Sequence, residues 1–162
     1  YAPALTSADM GVAVKERLAV ILDAVPYEGT LAYMQDTALE GPPELRNAVI
    51  RNFIRWTDIR AIDVIVFLLE NGNPDPREQL VLWQAAMRVL TSEDPNSNVG
   101  WDETVERGKV LFLLADEETQ REILEHMTSK AKYHTRKARE SFLEIENLTE
   151  SQRAMIEEIL QT

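Results

Sequence analysis

Residues 63–69 read Asp63-Val64-Ile65-Val66-Phe67-Leu68-Leu69, and the fold class turns on whether this run is a strand or a helix. An unbroken apolar stretch rich in β-branched residues suits a buried parallel strand. The polar residues around it argue otherwise. On a wheel of about 100° per residue, Arg60, Asp63 and Glu70 fall within about 80° of one another, leaving a broad apolar arc of Ile59, Ile62, Ile65, Val66 and Leu69. Thr57 or Asp58 supplies a cap, and Asn71-Gly72-Asn73-Pro74 supplies a stop. The spacing predicts a buried helix. The same conflict recurs at Val110 to Leu114, where Trp101, Val105, Gly108 and Phe112 share one helical face opposite Asp102 and Glu106.

The flanking sequence supports helices on both sides. Ser7 caps a predicted helix to about Val25 with Met10, Val14, Leu18, Ile21 and Val25 on one face, and Pro26 ends it. A shorter helix follows from Leu31 to Leu39 and is closed by Gly41-Pro42-Pro43. Pro43 suits the first turn of the next helix, which carries Leu45, Val49, Phe53 and Trp56 on one side. Asp75-Pro76 is a capping side chain followed by proline at the first helical position. The helix it starts, running to about Thr91, groups Leu80, Trp83, Met87 and Leu90, with Leu82, Ala86 and Val89 beside them. Arg77, Gln84 and Arg88 form its narrow wet strip. Residues 92–100, with Pro95 and Gly100, read as a flexible loop.

Asp116 caps the last long stretch, where Ile123, Leu124, Met127, Ala131, His134, Ala138, Phe142 and Ile145 fall within an arc of about 100°. An unbroken helix over 117–146 would be about 45 Å long, more than a compact domain of this size needs. It either kinks near 128–129 or projects to meet a partner. Thr149 with Gln152 makes a capping box for a final helix ending near Leu160. The expectation is one all-α domain over residues 1–162, with six to eight helices in an irregular bundle or a short helical solenoid. The alternative is an α/β fold with short parallel strands at 64–69 and 110–114.

Composition narrows the function classes. The 162 residues include 17 Lys and Arg against 28 Asp and Glu, a formal charge of −11. That deficit argues against nucleic acid as the partner, because affinity for phosphates comes from displacing counterions with cations. The absence of cysteine excludes disulfides, catalytic thiols and cysteine-ligated metal sites, and fits a reducing compartment such as the cytoplasm. The longest apolar run, Val64 to Leu69, is far short of the ~20 residues that span a bilayer, so membrane insertion is not expected. The chain begins at Tyr1 rather than Met, as a processed or truncated product would.

Three apolar octets, beginning at Leu18, Val64 and Val110, are spaced by 46 residues, a period that suits stacked helical repeats. The residues between them do not align. The order of apolar helix, Asn-Gly turn and Asn-Pro-Asp at residues 64–76 resembles the helix-to-loop junction of an ankyrin repeat, but the Thr-Pro-Leu-His start of that family is missing. Leu148-Thr149-Glu150-Ser151-Gln152 is similar to the LTxxQ element of a family of periplasmic helical chaperones and metal-stress proteins. The capping box alone accounts for those five residues.

Chemistry-bearing motifs are scarce. The two histidines, His126 and His134, lie about 12 Å apart along a continuous helix, too far to chelate one ion. Glu122 and His126 could form half a metal site, but HExxH spacing is missing, and no metal or cofactor is expected. Glycine-rich phosphate loops and nucleophile elbows are missing as well. Two basic clusters stand out. Arg46, Arg51 and Arg55 occur with no acid between Glu44 and Asp58, with Arg60 just beyond, and Lys130, Lys132, Arg136, Lys137 and Arg139 occur with none between Glu125 and Glu140. Guanidinium forks suit carboxylates of an acidic partner.

The leading expectation is a non-enzymatic helical interaction module: an adaptor, chaperone, effector or assembly subunit. Its partner would be another protein or a second copy of itself, meeting the 123–145 stripe. Candidate partner-binding residues are Arg46, Arg51, Arg55, Arg60, Trp101, Met127, His134 and Phe142. A small-ligand or metal-binding domain built on His134 is the alternative, and an unrecognised hydrolase the third. Far-UV circular dichroism separates the two fold classes: a helical spectrum without strand character is expected, and a mixed one would restore the α/β alternative.

Overall fold

A computed structural model describes residues 28–56, 58–91, 101–126 and 132–161, with backbone alone at 28, 91, 101 and 132–136. Among the described residues there are eight α-helices and no strand. They are α1 (Glu28–Glu40), α2 (Pro43–Asn52), α3 (Ala61–Asn71), α4 (Pro76–Thr91), α5 (Trp101–Leu114), α6 (Glu117–His126), α7 (Lys132–Phe142) and α8 (Glu150–Leu160). Both strand-like runs are helical, in α3 and α5, so the fold is all-α. The expected helix over 7–25, the loop over 92–100 and the kink near 128–129 lie outside the described residues.

The chain divides into two compact units, Tyr1–Ser97 and Asn98–Thr162. In the first, α1 packs on α2 and α3, and α4 packs on α2 and α3. Leu31, Met34 and Ala38 of α1 meet a core made by Leu45, Val49 and Ile50 of α2 and by Ile62, Ile65 and Leu68 of α3. The final turn of α2 tightens into a 3-10 helix, Phe53–Arg55, which buries Phe53 and leads into buried Trp56 and Ile59. Asp63 and Glu70 stay on the exposed side of α3, as the wheel predicts. Its inner face is centred on Ile65 and Leu68, while Val66 and Leu69 are half-buried.

On α4 the buried residues are Leu82, Ala85, Ala86, Val89 and Leu90. Trp83 and Met87, expected at the centre of the apolar face, are half-buried, and Leu80 is 59% exposed. Small Ala85 and Ala86 let the helix sit close to its neighbours, so the inner face is set by close approach rather than by the largest side chains. Asp75 accepts from the backbone N–H groups of Arg77 (2.8 Å) and Glu78 (2.9 Å), which realises the predicted cap.

One ion pair ties the unit together. Glu78 completes a reciprocal capping box, its Oε2 accepting from the Asp75 N–H at 3.0 Å. The same carboxylate receives a two-pronged contact from Arg46, Nε to Oε1 and Nη2 to Oε2, both 2.8 Å. Arg46 also donates Nη2–H to the Gly72 carbonyl at 3.0 Å and Nη1–H to the Ala38 carbonyl. A single guanidinium on α2 thus joins the C-terminal ends of α1 and α3 to the first turn of α4. Placing a cation against carbonyls at helix C-terminal ends also suits their dipoles.

The hydrogen bonds from Arg46, aided by the Asp75 amide and opposed by desolvation, hold the Glu78 carboxyl below its ordinary value of 4.5. A depressed folded pKa contributes stability that is complete above the unfolded value and is lost as pH falls through the folded one. Urea unfolding followed against pH is therefore expected to show a loss below about pH 4.5 that Glu78→Gln flattens. At neutral pH, Arg46→Met costs about 3 kcal/mol, because the remaining carboxylate is largely enclosed. In the double variant with Glu78→Gln, part of that cost is recovered, read as a coupling energy in a double-mutant cycle. Gly72 accepts no side chain without movement, since a Cβ there would meet the Leu68 carbonyl oxygen at 2.6 Å.

Candidate protein-interaction surface

The second unit is built around α5. Val105, Gly108 and Phe112 lie on its inner face, as the sequence spacing predicts, and Leu111 is buried beside them. Phe112 meets Phe142 of α7 edge-on, with ring centroids 5.5 Å apart and planes at 87°. Ile123 and Leu124 of α6 and Met155, Ile156 and Ile159 of α8 complete the buried set. Asp116 caps α6 through the Thr119 N–H at 2.8 Å, which lowers its carboxyl pKa. Gln120, buried one turn later, donates to the Phe112 carbonyl at 2.9 Å and locks the α5–α6 corner. The predicted capping box of α8 is present, with Gln152 N–H to Thr149 Oγ1 at 3.2 Å and Thr149 N–H to Gln152 Oε1 at 2.9 Å.

Two long-range contacts fix α8. Arg121 of α6 pairs with Glu158 at 3.2 Å, an exposed bridge. Arg139 of α7 donates Nη1–H to the Ile159 carbonyl at 2.9 Å, and burial lowers its pKa. Between α5 and α7 runs a groove of about 390 Å³, with Asp102, Glu106, Lys109, Lys137 and Glu144 on its walls and Val105 and Ala138 deeper in. Lys109 is held by Glu106 at 2.7 Å.

The outer side of α5 is apolar over its last turns as well. Val110, Leu113 and Leu114 are 45%, 49% and 37% exposed. They occupy positions i, i+3 and i+4, so they are neighbours on one helical turn. Leu111 and Phe112, interleaved with them, are fully buried. The strand-like run Val110–Leu114 is therefore apolar because the helix is apolar on two sides. The sequence marks that run as apolar, and its five residues carry no sign of which side stays uncovered.

The residues expected to bind a partner are dispersed. Arg46 is engaged in the clamp described above. Arg60 pairs with Asp58, its Nη2 lying 2.6 Å from Oδ2. Arg51 and Arg55 are exposed on α2 and the 3-10 helix. Buried close to them in sequence, Asn52 Nδ2 and Trp56 Nε1 have no acceptor among the described residues. Trp101 begins α5 and His134 lies in α7, but their side chains are outside the described residues, as is the whole of Met127. Phe142, expected to face a partner, is instead fully buried against Phe112. Of the described members of the 123–145 stripe, Ile123, Leu124, Ala138 and Phe142 close the core of their own unit, and Ile145 is half-buried.

His126 lies 3.6 Å from Glu122, the helix-surface pair anticipated from their spacing. Among the described residues no group of three or more His, Asp or Glu side chains could hold a metal ion, and no helix is long and apolar enough to cross a membrane.

Truncating Phe142 to Ala is expected to cost about 3–5 kcal/mol, since the pocket edge-on to Phe112 cannot refill. Leu113→Ser, on the outer side of the same unit, should change stability by less than about 0.5 kcal/mol. Urea unfolding of both variants tests the contrast between the two faces. Comparison with known proteins gives no match: no family model fits the chain, and no curated protein or solved structure is significantly similar to it.

Proposed function

We propose that the protein is a non-enzymatic helical interaction module whose contact surface includes the outer turn of α5. The observation that carries this reading is the exposure of Val110, Leu113 and Leu114 together on a helix whose opposite side is fully packed. Leaving such side chains in water forgoes on the order of 1 kcal/mol each, which a covering partner would recover. Contiguous exposed apolar side chains with a polar rim are a feature of contact sites, whereas single ones are ordinary surface.

A small-ligand site is the second reading, and the α5–α7 groove favours it by its volume, which falls in the usual range for such sites. Five of its eight lining residues are charged, whereas ligand pockets carry only a few polar groups. The interaction reading therefore takes precedence.

A photo-crosslinking residue at position 113, expressed in the source cell, tests it. A discrete adduct that disappears with Val110→Glu is the expected result. Labelling no stronger than that from a crosslinker at exposed Arg153 would overturn the reading. Sedimentation of the purified chain then separates a second copy from a different protein as the occupant.

A further inference from the structure

We infer that the outer turn of α5 receives a basic amphipathic helix of a partner protein. The inference rests on the interaction-module reading and adds the partner's chemistry. Its first warrant is shape. Val110, Leu113 and Leu114 form a one-turn apolar ridge, and the regular way to cover such a ridge is to seat it between side chains spaced i, i+3 and i+4 on another helix.

Its second warrant is charge. Two residues beyond Leu114 come Asp116, Glu117 and Glu118, all exposed. The Asp116 carboxylate accepts from the Thr119 N–H at 2.8 Å, which lowers its pKa. Glu117 and Glu118 make no ion pair among the described residues, and the nearest cation on α6, Arg121, is already paired with Glu158. On α5 itself, Glu103 and Glu106 are largely exposed but pair with Arg107 at 3.4 Å and Lys109 at 2.7 Å, so the unpaired acid lies at the α6 end. Residues 101–126 carry eight acidic and three basic side chains in a chain of net charge −11. An apolar ridge followed in the chain by three exposed carboxylates complements a helix with leucine-like residues on one face and lysine or arginine at its border. Anionic partners, nucleic acid or an acidic membrane surface, would meet repulsion at the same place.

The test uses the full chain and a fluorescent peptide of about 18 residues, five helical turns. The peptide carries Leu and Lys at amphipathic helical spacing. Controls are the same composition in scrambled order and a Leu/Glu counterpart. Fluorescence anisotropy is expected to report binding of the Leu/Lys helix, weaker binding of the scrambled peptide and none of the Leu/Glu one. Leu113→Ser with Leu114→Ser, and separately Glu117→Gln with Glu118→Gln, should each weaken binding about tenfold or more. All four positions are exposed, and circular dichroism verifies that each variant keeps its helices.

Binding that survives the serine pair would be nonspecific attraction to an acidic chain and would overturn the inference. Stronger binding of the Leu/Glu helix would overturn the partner's charge while leaving the contact surface in place. Self-association abolished by the serine pair would put a second copy on the turn and overturn the inference as well. No binding of any peptide, with a crosslinked adduct at position 113, removes the inference alone. No binding and no adduct removes both readings.

Discussion

The first unit depends on one guanidinium. Arg46 reaches three helices from its place on α2, and each contact answers a need that helix geometry creates. The last carbonyls of a helix have no partner within it, and the first amides of the next have none either. Arg46 supplies donors to the carbonyls at Ala38 and Gly72, while Glu78 accepts from the Asp75 amide and neutralises the cation. The cation would be costly to enclose alone, and the carboxylate likewise. Together they satisfy the ends of three helices at one point.

The second unit solves the same problem with separate devices. Gln120 holds the corner between α5 and α6, Arg139 attends the end of α8, and the Thr149–Gln152 box attends its start. Its core is closed by the edge-on ring pair and by aliphatic side chains from α6 and α8. With Ile123, Leu124 and Phe142 already used inside, the large apolar side chains that this unit leaves exposed among the described residues are those on the outer turn of α5. That division of labour moves the proposed contact from the long stripe to a short helical turn.

Helix starts and stops were legible because they are local chemistry. Asp75-Pro76, Asp116 and Thr149 with Gln152 each act where the sequence places them. Residues 63–69 were legible as helix because three charged side chains cluster on one side. The face of α4 was misread in part: Trp83 and Met87 weigh most in an apolar count, yet Ala85 and Ala86 admit the closer approach and sit innermost. Arg46 could be recognised as one of a basic group, but its partner Glu78 lies 32 residues away, a separation that no local pattern encodes. Phe142 misled for the opposite reason, since an amphipathic stripe specifies that a face is covered and is silent about whether its own chain or another covers it.

The end of α3 also bears on how the molecule ages. An asparagine followed by glycine is the pair most prone to deamidation, which proceeds when the glycine nitrogen attacks the asparagine side chain to close an imide ring. In Asn71-Gly72 that nitrogen is committed to the Leu68 carbonyl at 2.9 Å, and the Asn71 amide is tethered to the Phe67 carbonyl at 3.0 Å. Ring closure must wait until this last turn frays, so the slow appearance of aspartate at position 71 acts as a chemical clock for opening of the junction that Arg46 secures.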